Sequence, residues 1–236
     1  YPLRRQRQMC IRDRAGVFEL EGDVSSQYVT GLLFALPLLD GDSEIRMLSK
    51  LESKPYVDLT IACLRHFGIA VQETEQGYAV AGGQQYHACD LTVEGDYSQA
   101  AFFCVANALG SDITLTNLNP ESVQGDKKIV EIVREMCYNR EQGLPAGFTV
   151  DAADIPDLVP ILAVLATFGT APSSITGAHR LAIKESDRLA STADLLNRLG
   201  GKVTATPDGL EIEPVEHLHG GTVDSCGDHR IAMCAA

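Results

Sequence analysis

The chain has 236 residues, 45% of them apolar and 22% charged, no Trp, and a formal net charge of −13. That length holds one large or two small domains with real cores. The acidity argues against a nucleic-acid binder, which needs a basic footprint. The longest apolar run, Leu158 to Phe168, is too short to span a bilayer. Seven Cys without a C-x-x-C pair and six His without ligand spacing argue against a structural zinc site or a disulfide framework. They fit a reducing, cytoplasmic setting.

In chain order, the first fourteen residues stand apart. They hold five Arg and one Asp, and without them the net charge is −17, from 14 Lys and Arg against 31 Asp and Glu. Arg4 to Asp13 reads as an in-frame translation of a sequencing adapter. Residues 1–14 are therefore set aside from the fold. The chain also stops inside an apparent helix at Cys234-Ala235-Ala236, so a gene incomplete at both ends is expected.

Glu21-Gly22-Asp23-Val24-Ser25 opens an apolar helix-like run to Leu39, and Glu94-Gly95-Asp96-Tyr97-Ser98 opens another to Leu109. Tyr56 to Phe67 forms a helix between them. Gly125-Asp126 opens a helix to about Met136, and Ile155-Pro156-Asp157 one to Phe168, with Pro in its first turn. Ala190 to Gly201 follows, with Ser186 as N-cap and Gly200-Gly201 as the stop. Gly227-Asp228-His229 opens the last. Strands are expected at 44–48, 70–74, 78–81, 112–116, 173–176, 202–206 and 210–213, several bounded by Gly, Asn or Asp. The pattern is an α/β chain in repeats of roughly 60–70 residues, each the size of a subdomain rather than a solenoid unit. It lacks the glycine fingerprints of a dinucleotide fold or a P-loop.

Ile183-Lys184-Glu185-Ser186-Asp187-Arg188-Leu189 carries the most chemistry. Two cations, two carboxylates and a hydroxyl stand at a helix start, where N–H groups and the dipole favour a bound anion. Glu185 has no place in a pure anion site and suits an acid or base. Read alone, the string is more often a helix start with local salt bridges. The same two readings apply to Ser25-Ser26-Gln27, Ser53-Lys54-Pro55-Tyr56, Asp157 and Asp228-His229-Arg230: caps and surface pairs, or ligand contacts. Asp96 and Asp126 read as caps. No metal site is expected, because no cage of carboxylates or His is present.

Taken together, from about Gly22 to Ala236, these strings resemble the 5-enolpyruvylshikimate-3-phosphate synthase family, in that family's order. Glu94-Gly95-Asp96, Gln124-Gly125-Asp126 and Asp228-His229-Arg230-Ile231-Ala232-Met233 belong to the likeness with the strings above. The resemblance implies an α/β fold of the enolpyruvate transferase type, two domains built from βαβαββ units. Residues 15–93 would be the end of the first domain and 94–236 the second. It implies transfer of the enolpyruvyl group of phosphoenolpyruvate to the 5-hydroxyl of shikimate 3-phosphate, with no cofactor and no metal, by a protein that is monomeric when full length. Under it, Asp157 and Glu185 are the proton-exchanging groups. Ser25, Ser26, Gln27, Ser53, Tyr56, Asp157 and Lys184 contact shikimate 3-phosphate. Gln27, Arg188, His229 and Arg230 contact phosphoenolpyruvate.

The sequence departs from the family in three places. The family's N-terminal lysine, first-domain arginine and late lysine lie outside the chain, so little activity is expected from it alone. The stretch from Cys137 to Gly147 is short, as though a strand pair were missing. Arg180 stands where many members carry Asn, and no role is carried to it. The alternatives are a transferase acting on UDP-N-acetylglucosamine, which uses a cysteine-bearing loop and lacks the Lys-Glu-Ser-Asp-Arg string, and a non-catalytic binding module or one segment of a larger multifunctional polypeptide.

Overall fold

The structure is a computed structural model, and it describes residues 14–236. The reading of residues 1–14 as foreign sequence falls almost entirely outside that range. The chain divides between Thr92 and Val93 into two compact units.

The first unit holds β1 (Val17–Leu20), α1 (Ser26–Ala35) with a 3-10 turn to Leu38, β2 (Ser43–Met47), α2 (Lys54–His66), β3 (Gln72–Thr74) and β4 (Gly77–Val80). Its sheet runs β1-β2-β4-β3, with β1 and β2 parallel and the hairpin antiparallel to β2. A parallel pair needs a crossover, and α1 supplies it. Val29 and Leu33 of α1, Val57, Ile61 and Leu64 of α2, and Ile45, Tyr78 and Val80 of the sheet form one buried core. Ile45 stands opposite Tyr78 in the register. Gly77 lets β4 pass close to β2, where a Cβ would collide with the Ile45 carbonyl.

The second unit opens with α3 (Tyr97–Ala108) and α4 (Lys128–Glu141), the latter entered through a 3-10 turn at Gly125–Lys127. It continues with β5 (Thr149–Asp151), α5 (Val159–Thr167), β6 (Ser173–Thr176), α6 (Arg188–Arg198), β7 (Lys202–Thr206), β8 (Gly209–Glu213) and α7 (His229–Ala235). The sheet order β5-β6-β8-β7 repeats that of the first unit, with β5 and β6 parallel and the hairpin antiparallel. All nine residues of α5 are buried at the centre of the core. This accounts for a helix apolar on every side.

Three elements differ from the sequence reading. β1 and β5 are short and lack strong alternation, so no pattern marked them. Residues 112–116 form no ladder, because no hairpin follows to pair with them: α4 runs to Glu141 and the next strand, β5, belongs to the second sheet. Asp96 caps α3, accepting from the Ser98 N–H at 2.8 Å, but Asp126 sits inside its 3-10 turn, whose cap position is Gln124.

Candidate active site

In both sheets the parallel strands end on the same side as the starts of the helices that follow them. That carboxyl edge is where ligands gather in open α/β sheets. In the first unit, the Gly22 N–H donates to Ser49 Oγ at 2.8 Å and the Glu52 N–H donates to the Gly22 carbonyl at 3.0 Å. These bonds tie the entry to α1 to the entry to α2. A Cβ on Gly22 would lie 2.6 Å from the Lys50 carbonyl oxygen, so the Glu-Gly-Asp turn needs its glycine there. Ser25 caps α1, accepting from the Gln27 N–H at 3.3 Å. Ser26 is half-buried, Gln27 exposed and Tyr56 half-buried. Ser53 is buried and holds a left-handed backbone, φ +57°. Such a conformation is costly for a residue with a Cβ.

In the second unit the charged residues converge. Arg188, at the start of α6, has only 2% of its side chain exposed. Its Nε donates to Asp228 Oδ2 at 2.7 Å, its Nη1 to Asp157 Oδ1 at 2.9 Å and its Nη2 to Glu185 Oε2 at 2.7 Å. Arg230 reaches the same acid from α7, its Nη2 donating to Asp157 Oδ2 at 2.8 Å. Asp157 therefore bridges two guanidiniums, one on each oxygen. Its 3-10 turn, Pro156–Leu158, leads from β5 into α5. Three separate helix entries thus meet at one cluster.

Asp228 holds the cluster together. Its Oδ1 accepts the Arg230 N–H at 2.9 Å and caps α7, while its Oδ2 takes Arg188 and the Ser186 hydroxyl at 3.1 Å. Burial works to raise its pKa, but the Arg188 and Ser186 hydrogen bonds, the Arg230 N–H and the Arg188 charge outweigh it, and the carboxyl sits below its usual range. Burial likewise opposes the charge on Arg188. The Asp228 hydrogen bond and the charges of Asp157, Asp228 and Glu185 overcome that and raise its pKa. Burial pushes the neighbouring Cys234 thiol upward.

One expectation is corrected here. Asp187, not Ser186, is the N-cap of α6, accepting from the Ala190 N–H at 3.1 Å. The Ser186 hydroxyl is drawn instead to the buried Asp228. The Asp-His-Arg string points to its imidazole and guanidinium, yet its acid organises the site. The signal was its position directly ahead of the helix. His229 is exposed, with Nδ1 3.9 Å from Asp228 Oδ1. Lys184 is half-buried on extended backbone at the end of the 3-10 turn His179–Ile183. Arg180 is buried and donates to the Ala153 carbonyl at 2.9 Å.

Chemically, the cluster offers carboxylates for proton exchange and fixed cations for anionic groups. Arg188 commits three of its five N–H donors to carboxylates. The Arg230 Nε is buried with no hydrogen-bond partner among the described residues.

The fold is an α/β architecture with repeated βαβαββ units, and the second unit carries an acid–guanidinium cluster at its helix starts. A family model for EPSP synthase (3-phosphoshikimate 1-carboxyvinyltransferase) matches residues 6–236, and the chain belongs to that family. The match begins inside the basic head, whose foreign origin stands as a proposal. A relative from Clostridium kluyveri named 3-phosphoshikimate 1-carboxyvinyltransferase is 45% identical, over 94% of this chain and 55% of its own length. That alignment runs over 233 positions but takes in 94% of this chain, so the relative carries residues that have no counterpart here. The structure of EPSP synthase from Acinetobacter baumannii superposes with a TM-score of 0.74 at 25% identity, covering 94% of this chain and 55% of that one. The enolpyruvyl transferase NikO from Streptomyces tendae, at 16% identity and TM-score 0.60 over 94% of this chain and 57% of its own, shares the fold. The chain spans about half the length of the curated relatives it matches.

Proposed function

We propose that this chain supplies most of one active-site wall of an enzyme moving the enolpyruvyl group of phosphoenolpyruvate to the 5-hydroxyl of shikimate 3-phosphate. The observation that carries the reading is Asp157, bridging Arg188 and Arg230 while Glu185 shares the same Arg188. Addition across the enol double bond takes one proton to the methylene carbon and removes one from the attacking hydroxyl. Collapse of the tetrahedral intermediate then expels phosphate. Asp157 is the base nearest the sugar hydroxyls, and Glu185, with 54% of its side chain exposed, is the donor or relay. Arg230, the remaining Arg188 donors and His229 hold phosphoenolpyruvate, with Gln27. Lys184 holds shikimate 3-phosphate, with Ser25, Ser26, Ser53 and Tyr56. Guanidiniums locked before substrate arrives need no reorganisation during the reaction.

No helix among the described residues is long and apolar enough to cross a membrane. We place the protein in the cytoplasm, without nucleic-acid partners, needing neither metal nor organic cofactor, and monomeric when full length.

The test replaces the corresponding segment of the Clostridium kluyveri relative with residues 15–236 and follows phosphate release from both substrates. The chimera turns over, whereas the 236-residue chain alone shows little or no turnover. Asp157→Ala and Glu185→Gln each lower kcat by about 10²–10⁴. Unchanged kcat in either variant refutes its role. Release supported by UDP-N-acetylglucosamine but not by shikimate 3-phosphate refutes the substrate.

A further inference from the structure

The second unit contains an incomplete repeat. In both complete repeats the strand after the first helix is central: β2 lies between β1 and β4, and β6 between β5 and β8. The corresponding segment after α3 is Ile113–Thr116. One end is anchored, because the Gly95 N–H donates to the Asn117 carbonyl at 2.6 Å and Asn117 Nδ2 donates to the Val93 carbonyl at 3.0 Å. At the other end, the Asn107 amide takes both main-chain groups of Ile113 at 2.8 Å each. Asn197 does the same for Val203 of the edge strand β7. Between these anchors, the main chain of Thr114, Leu115 and Thr116 makes no hydrogen bond to the described residues. Among the described residues no hairpin follows to pair with it: the chain passes from α4 directly to β5.

The true sheet edges of this chain are guarded. β1 carries Glu19, β3 and β5 are three residues long and carry Glu73 and Asp151, and β7 begins at Lys202. Ile113–Thr116 has no charge and no Pro. Ile113 itself and the nearby Val93 and Leu109 are exposed. An unguarded extended segment with free N–H and C=O groups is a template for another strand.

We propose that this segment is a self-association surface, pairing antiparallel with the same segment of a second copy across a two-fold axis. Antiparallel pairing is the relation β2 bears to β4 and β6 to β8, so the second copy occupies the side on which each complete repeat has its hairpin. An isologous pairing closes on itself and stops at a dimer. Centred on Leu115, it sets Thr114 of one copy opposite Thr116 of the other. The monomer expected of the full-length family protein goes with a repeat that has its hairpin.

The test is the weight-average mass of the 236-residue chain by analytical ultracentrifugation, from micromolar to hundreds of micromolar. Mass rises with concentration towards twice the monomer value. T114K/T116K, which puts like charges directly opposite, stays monomeric with unchanged far-UV circular dichroism. A second variant inserts a copy of the β7–β8 hairpin sequence after Gln142, filling the edge from within the chain, and it too stays monomeric. A wild-type chain that is monomeric throughout the range overturns the proposal. So does a dimer that persists undiminished in the lysine variant or in the hairpin variant.

Discussion

The two complete repeats share strand order, pairing sense and the placing of helix starts, yet they hold different chemistry at those starts. In the first, hydroxyls and an amide stand there: Ser25, Ser26, Gln27 and Ser53. In the second, Asp157, Glu185, Arg188 and the later Arg230 form a charged cluster buried enough to need its own partners. Topology sets where ligand-facing residues go; the side chains decide what the place costs to build. A hydroxyl cap works alone, whereas a guanidinium out of water must be matched by carboxylates on neighbouring helices.

The sharpest way to break that comparison is Arg188→Ala. It leaves Asp228 buried with only Ser186 and one N–H, leaves Asp157 to Arg230 alone, and releases Glu185. Unfolding free energy should fall by about 3–5 kcal/mol, read from urea denaturation at neutral pH. A loss no greater than that of a hydroxyl cap would mean the cluster is not built as described.

Asp228→Asn probes the same centre through pH. The native carboxyl lies below its unfolded pKa, so its contribution is fully present above the unfolded value. It is lost as pH falls through the depressed native one. The variant should cost about 1–3 kcal/mol at neutral pH, and the gap to wild type should narrow on acidification. A gap that stays constant down through the carboxylate range would remove Asp228 from its central place.

Ser25→Ala is the matching change in the first repeat. It removes one cap at the start of α1 and should cost about 1 kcal/mol, with no dependence on pH or salt. Calorimetry that resolves the two units' transitions would show the loss confined to the first.

These contrasts explain what was readable in the sequence. Helices with a cap ahead and glycine behind were legible because caps and stops are local chemistry, as Asp96 and Gly200 show. The hairpin strands from Lys202 to Glu213 were legible from turn residues and alternation. The strand expected at 112–116 failed because strand formation is a property of a pair, and the pair is missing. The residues of the cluster were legible by type but not by partner. Nothing local says that Arg188 bonds Asp228, 40 positions away, or that Arg230 bonds Asp157, 73 positions away. The cap of α6 was misplaced by one residue because Ser186 is drawn to an acid that only the tertiary fold brings near.

The smallest effect comes from a control within α6 itself. Arg198 and Asp194 pair at 2.7 Å, the same length as Arg188 to Glu185. Both residues are more than half exposed, however, with side-chain values of 57% and 51%, against 2% for Arg188. Water and counterions screen the outer pair, so Asp194→Ala should cost only about 0.3–0.5 kcal/mol, and half-molar salt should erase the difference. The Arg188 variant should keep most of its penalty in the same salt, because its pair with the fully buried Asp228 is closed to counterions. Equal salt sensitivity in the two variants would place Arg188 in water, and the contrast between a solvated pair and a built site would then fail on the helix where the lengths are matched.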